Sequence, residues 1–169
     1  MSNEISNFLK VKEFNEVFGV ETPLIPAQNV VSTNPRLTAL RQALITEECD
    51  EFVEAVKDNN FTEIIDALAD ILYVVYGTGA AFGVDLDKVF DIVHSSNMSK
   101  VCQSQDEAVQ TVQWYKDNKL DTYDSPAYRC SKNGKYWIVY NQSTGKILKS
   151  ILYNPVHFDL DDLSVYASK

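Results

Sequence analysis

EECDEFVEAVKDNNFTEIIDALAD, from Glu47 to Asp70, decides how this chain reads. Those 24 residues hold nine acids and one base, a local charge of −8, whereas the full 169 residues, with 24 acids against 15 Lys plus Arg, stand at −9. The surplus is therefore local. Charges cancel at four against four before Glu47 and at eight against eight after Lys100, and residues 71–100 add only −1.

Helical periodicity shows where these acids point. With Leu37 at 0° and ~100° per residue, Leu40, Leu44 and Ile45 fall near 300°, 340° and 80°, while Glu47, Glu48 and Glu51 fall near 280°, 20° and 320°. Three carboxylates thus continue a leucine stripe. Asp50 lies on the far side with ordinary surface acids, and Glu54 sits at the stripe's edge. A second helix repeats the pattern. Ile64, Leu68, Ile71 and Val75 share one side, Glu63, Asp66 and Asp70 another, and the helix is apolar nearly all round after Asp70. It is expected to be buried, with its acids facing inward within an assembly.

That arrangement is costly unless something offsets it. Glu47/Glu51 and Asp66/Asp70 are like-charge pairs at i,i+4, and no Lys or Arg stands three or four positions from Glu47, Glu48, Glu51, Asp66 or Asp70. Several unpaired carboxylates brought together need cations or protons. A hard divalent ion with oxygen ligands, Mg²⁺ or Mn²⁺, suits such a set. The short Asp58-Asn59-Asn60 turn makes the two helices antiparallel neighbours and brings the stripes together.

Working outward, Ile5 to Phe18 has helical spacing, Gly19 stops it, and Pro23 and Pro26 predict an extended connector over 19–34. Asn34-Pro35 reads as cap and first residue of the long helix, about residues 35–58. Thr62 opens the second acidic helix, which runs to Gly77 or slightly beyond; Asp85 caps a third over about 86–98, and 105–117 make a fourth. Past Asp121 the character changes. Tyr128–Lys132, Asn133-Gly134 and Lys135–Tyr140 spell a β-hairpin, and Ser143-Thr144-Gly145 turns the chain before Lys146–Lys149. The expected fold is mainly α: a helical bundle over residues 1–120 with a small antiparallel β appendage, 121–169, packed on it.

Composition excludes several classes. The acidic balance lacks the positive field of a general nucleic-acid binder. No signal-type stretch or run of ~20 apolar residues points to a membrane. Cys49, Cys102 and Cys130 fit neither a disulfide framework nor a zinc spacing. The expectation is a soluble protein of a reducing compartment, the cytoplasm.

The quoted acids also carry a resemblance. EECDE at 47–51 matches an EExxE motif, DALAD at 66–70 followed by ILYVVYG resembles a second acidic motif, and HSSNMSK at 94–100 an Asn/Lys segment. In this order and spacing they resemble the all-α NTP pyrophosphohydrolases of the MazG-like and phosphoribosyl-ATP-pyrophosphohydrolase-like group, over about residues 8–100 and more loosely through TGKILK. The resemblance implies a helical bundle, a homodimer or dimer of dimers, and Mg²⁺-dependent cleavage of the α–β anhydride of a nucleoside triphosphate to the monophosphate and pyrophosphate. It places Glu47, Glu48, Glu51 and Asp70 at metal positions and Asp66 at a further acidic one, with Glu47 or Glu48 as the base that takes a proton from water. The usual ExxD has Glu where Ala67 stands, so either Asp66/Asp70 fill that role or the literal motif is Glu63 to Asp66; Asp66/Asp70 is preferred because it mirrors Glu47/Glu51. By analogy alone the substrate is dUTP or a damaged dNTP, a house-cleaning role, with phosphoribosyl-ATP as the alternative.

For substrate contacts the candidates are Asn97 and Lys100, Tyr73 (with Tyr76) stacking a base, and Lys146 (with Lys149) on the phosphates. Each has a plainer reading as cap, core aromatic or solvated lysine. Arg36 and Arg41 are expected to balance the acidic patch. Asp91–His94 supplies only half of a di-iron element. The competing functions are a non-catalytic metal-carboxylate bundle and an acidic module that binds a basic partner.

Overall fold

The computed structural model describes residues 5–165. Its elements are α1 (Asn7–Val17), α2 (Val30–Thr33), α3 (Pro35–Lys57), α4 (Phe61–Ala81), α5 (Leu86–Met98), α6 (Gln105–Asn118), β1 (Pro126–Cys130) and β2 (Trp137–Asn141). The protein is mainly helical with one two-stranded antiparallel sheet, as its sequence predicts.

Capping chemistry fixes the helix starts. The Asn34 side chain accepts the Leu37 N–H at 3.1 Å, and Pro35, which has no N–H to leave unpaired, begins α3. Asn59 takes the left-handed conformation (φ 51°), which turns the chain, and Asn60 accepts the Glu63 N–H to open α4. Asp85 accepts the Asp87 and Lys88 N–H groups ahead of α5. Ser104 caps α6 through the Glu107 N–H, and Glu107 reaches back to the Gln103 N–H, a variant of the capping box. The connector after α1 is not wholly extended. Ser32 and Thr33 hydroxyls both donate to the Asn29 carbonyl, at 2.9 and 3.0 Å, and wind the one-turn α2.

Two compact units divide the chain differently from the predicted boundary at residue 120. Among the described residues, one takes 5–90 together with 158–165, and the other takes Asp91–His157. In the first, α1 and α3 both pack on α4, around Phe8, Ala80 and Val165 with Tyr76 beside them. Residues 163–165 belong here rather than to a β appendage: Leu163 accepts the Asp85 N–H at 3.0 Å, Ser164 accepts the Lys88 ammonium at 2.9 Å, and Val165 donates to Leu24 at 3.0 Å. With 21 residues, α4 has the length and apolar composition to cross a bilayer, a property the sequence reading does not assign; it packs against α1 and α3 instead.

In the second unit α6 packs on both strands over a core of Cys102, Ala108, Val112, Tyr115, Val139 and Leu148. Pairing runs from Pro126↔Asn141 to Cys130↔Trp137, so the connection is residues 131–136, wider than a two-residue Asn-Gly turn. An Asx interaction, Asn133 Oδ1 accepting the Lys135 N–H at 3.1 Å, shapes it. The Lys146–Lys149 segment adds only a single bridge, Ile147 to Tyr140. Asn141 is the polar anchor. Buried, its amide donates to Asp124 (2.9 Å), Ser143 (2.9 Å) and Thr144 (3.1 Å), while its oxygen accepts the Ser125 N–H at 2.9 Å. Asn141→Ala strands that N–H, and we expect a loss of about 2 kcal/mol, read as a lower thermal midpoint; an unchanged midpoint would contradict the anchor role.

Candidate functional site

The paired helices α3 and α4 carry every acid of the Glu47–Asp70 stretch except Asp58, which caps α3. Glu48 is half-buried; Glu47, Glu51, Asp66 and Asp70 are exposed. The acids are therefore open to solvent on this chain, not enclosed within it.

Electrostatics nevertheless joins them. Burial pushes the Glu48 carboxyl above its ordinary pKa, and the negative charges of Glu51, Asp70, Glu47 and Asp66 push it further in the same direction. The five expected residues thus form one field centred on Glu48, with contributions from both helices. Glu63 is not among the groups acting on Glu48. No cation relieves the field from within. Among the described residues the ion pairs are Lys12–Glu16, Lys57–Glu54 and Lys88–Asp85. Glu47 and Glu51 also line a shallow groove of about 680 Å³ along α3, with Asp50 and Glu54 beside them.

The donor set is all carboxylate and unpaired, which is the chemistry a hard divalent ion takes. Among the described residues no three acidic, His or Cys side chains already stand close enough to hold an ion. The two helices thus gather these carboxylates without closing them into a cage.

The other expected residues lie as follows. Tyr73 is on α4, one turn beyond Asp70, with its ring edge-on to Phe14 at 5.5 Å. Tyr76 is no free stacking surface: its hydroxyl donates to Asp87 at 3.0 Å, and burial with that bond raises its pKa. Asn97, Lys100, Lys146 and Lys149 belong to the second unit. There the Lys100 ammonium donates to the Asn97 side chain at 2.6 Å, Lys146 lies over the Tyr123 ring at 5.1 Å, and Lys149 lies over Tyr153 at 4.2 Å. Arg36 is exposed. Arg41 does not balance the acids; it is buried and joins no ion pair. The same helical wheel held the signal, since Arg41 falls near ~40°, inside the leucine stripe.

Comparison with known proteins agrees with this geometry. A family model described as phosphoribosyl-ATP pyrophosphohydrolase matches residues 11–97, which include every acid of the cluster and end at Asn97. An uncharacterized protein of Acanthamoeba polyphaga mimivirus is 29% identical, over 93% of this chain and 96% of its own length. The match spans α3, α4 and their carboxylates and covers more than half of the chain, which therefore belongs to the phosphoribosyl-ATP pyrophosphohydrolase family, within the MazG-like all-α NTP pyrophosphatase superfamily.

Proposed function

We propose that the protein is a Mg²⁺-dependent pyrophosphohydrolase that cleaves the α–β anhydride of a (deoxy)nucleoside triphosphate to the monophosphate and pyrophosphate. One observation carries the reading: four carboxylates from two packed helices, Glu47, Glu51, Asp66 and Asp70, act on a fifth, Glu48, and none of the five has a basic partner among the described residues. Glu48, Glu51 and Asp70, with Glu47 and Asp66, would hold Mg²⁺, for which Mn²⁺ can substitute. When bound, the ion would offset triphosphate charge and make water more acidic.

The chain's own part is proton transfer and orientation. A water oxygen bonds to the α-phosphorus, the bridging oxygen leaves with pyrophosphate, and the proton of the water passes to Glu47 or Glu48. Tyr73 remains a candidate for a substrate contact. Asn97, Lys100 and Lys146 remain candidates for contacts to sugar and phosphate.

A second copy of the chain completes the assembly in this account. Leu40, Val53 and Val56 on α3 and Phe61, Ile65, Leu68 and Leu72 on α4 are exposed, more apolar surface than a solitary helical hairpin leaves open. A homodimer, or a dimer of dimers, would cover these faces and surround the acids. The free cysteines Cys49 and Cys130 are exposed, which suits a reducing compartment such as the cytoplasm.

The test is pyrophosphate release with Mg²⁺ from a panel of NTPs, dNTPs including dUTP, and phosphoribosyl-ATP. Release from a nucleoside triphosphate supports the proposal. Exclusive turnover of phosphoribosyl-ATP, the compound in the family's description, would replace the substrate. No release from any of them, with visible absorption after adding Fe²⁺, would point to a non-catalytic metal bundle.

A further inference from the structure

Arg41 lies in α3 at 8% exposure, and its Nε is buried without a hydrogen-bond partner. No ion pair of the described residues includes it. A cation held this way is costly unless something arrives to meet it. The neighbouring helix makes room for it: a Cβ on Gly77 of α4 would sit 3.3 Å from Arg41 Nη1, so glycine there lets the guanidinium lie against the helix.

Arg41 lines a pocket of about 280 Å³ with Gln42, Ile45 and Phe82. Three threonines complete the wall, but their hydroxyls are engaged with helix carbonyls: Thr38 to Asn34 (3.2 Å), Thr46 to Gln42 (2.9 Å) and Thr78 to Val74 (2.8 Å). Arg41 is the charged residue of that lining. Its position relative to the acids narrows the ligand. Arg41 precedes Glu48 by seven residues, two helical turns or ~10 Å on the same side of α3. Phosphates crowd round whatever ion holds them, whereas sugar and base extend away, so a slot at that remove with apolar walls suits a flat base better than a terminal phosphate.

We propose that the Arg41 pocket seats the base of the nucleotide and selects bases that present a keto oxygen over bases that present an amino group. This rests on the nucleotide reading of the acidic site. A guanidinium has only donors and no acceptor, so a carbonyl edge, as in guanine or uracil, meets it favourably. The amino group of adenine or cytosine sets donor against donor.

The experiment compares wild type with Arg41→Met, which keeps the length and apolar stem, and with Arg41→Lys, which keeps the charge and loses the fork. Binding of α,β-methylene GTP, UTP, ATP and CTP is measured by calorimetry with Mg²⁺, alongside inhibition by tripolyphosphate, which has phosphates and no base. Wild type should prefer GTP over ATP by about tenfold or more, the worth of one bidentate contact to guanine O6 and N7, and UTP over CTP in the same direction by less, since uracil offers O4 alone on that edge. Arg41→Met should bring both ratios close to one, with Arg41→Lys between, while tripolyphosphate inhibition and the thermal midpoint hold. Equal weakening of tripolyphosphate would make this a phosphate site and overturn the proposal. So would an unaltered base preference, and so would a changed oligomeric state with preference intact, which would give Arg41 to an interface. The non-hydrolysable series keeps the two readings apart: absent turnover sinks the activity, and absent keto preference sinks the pocket.

Discussion

Glu48→Ala should lower pyrophosphate release by between about a hundredfold and ten-thousandfold, the range lost when a general base or its equivalent is removed, and the protein should stay folded. Glu51→Ala should show a comparable loss. The reason the fold survives is electrostatic. Burial and four neighbouring acids hold Glu48 above its ordinary pKa, so its ionised form is less favoured in the metal-free folded chain than in the unfolded one. That penalty is present above the raised pKa and fades as pH falls through it. The isosteric Glu48→Gln variant removes it, so without metal it should melt at or above the wild-type midpoint near neutral pH while lacking activity. Retained turnover in both Glu48→Ala and Glu51→Ala would reject the site assignment, and a collapsed melting curve for Glu48→Gln would show the residue to be structural.

Gly83→Ala should be the most destabilising single methyl in the first unit. Gly83 has φ +72°, and a Cβ there would lie 2.2 Å from the Ile25 carbonyl oxygen, 2.8 Å from its carbon and 3.1 Å from the Pro23 oxygen. The left-handed backbone and the overlap with main chain, which cannot swing aside like a side chain, together cost roughly 3 kcal/mol or more. For a chain of this size that is a fall in midpoint of about 10 °C. Gly19 is the internal control: it shares φ +72° but meets nothing within 4 Å. Gly19→Ala should therefore cost only about 1 kcal/mol. Equal midpoints for the two variants would show that the contact with Ile25 is not what constrains Gly83.

The helices were legible because local chemistry sets them. Asn34-Pro35 and Asp85 each cap where the sequence predicts, while Asn60 opens α4 at Phe61, one residue before the expected Thr62, and Ser104 caps α6 just ahead of the expected start. Glu47, Glu48, Glu51, Asp66 and Asp70 were legible as a set, since no basic side chain stands three or four positions from any of them and the short turn at 58–60 brings the two helices together. What the sequence conceals depends on distant partners. Residues 163–165 return to the α4–α5 connection through backbone hydrogen bonds to Leu24 and Asp85, which have no side-chain signature. The one-turn α2 rests on hydroxyls bonding locally to Asn29. Arg41 is hidden for another reason. Its place on the leucine stripe signals burial, but the space that lets it lie there, opposite Gly77 on the facing helix, has no local signature. The expected burial of α4 holds at Ala67 and toward its C-terminal end, at Gly77, Gly79, Ala80 and Ala81, with Ile65, Leu68 and Leu72 exposed.

Manganese, followed by electron paramagnetic resonance, reports ion capture without reference to substrate, turnover or base. Titrated into the wild-type protein, the free-ion signal should be depleted in proportion to protein, and Mg²⁺ should restore it by competition. Asp70→Asn on α4 and Glu51→Gln on α3 should each weaken that depletion by about tenfold or more, roughly the loss of one charge-assisted contact. Equal manganese uptake by wild type and both variants, or none by any of them, would mean that the facing carboxylates of α3 and α4 do not share an ion.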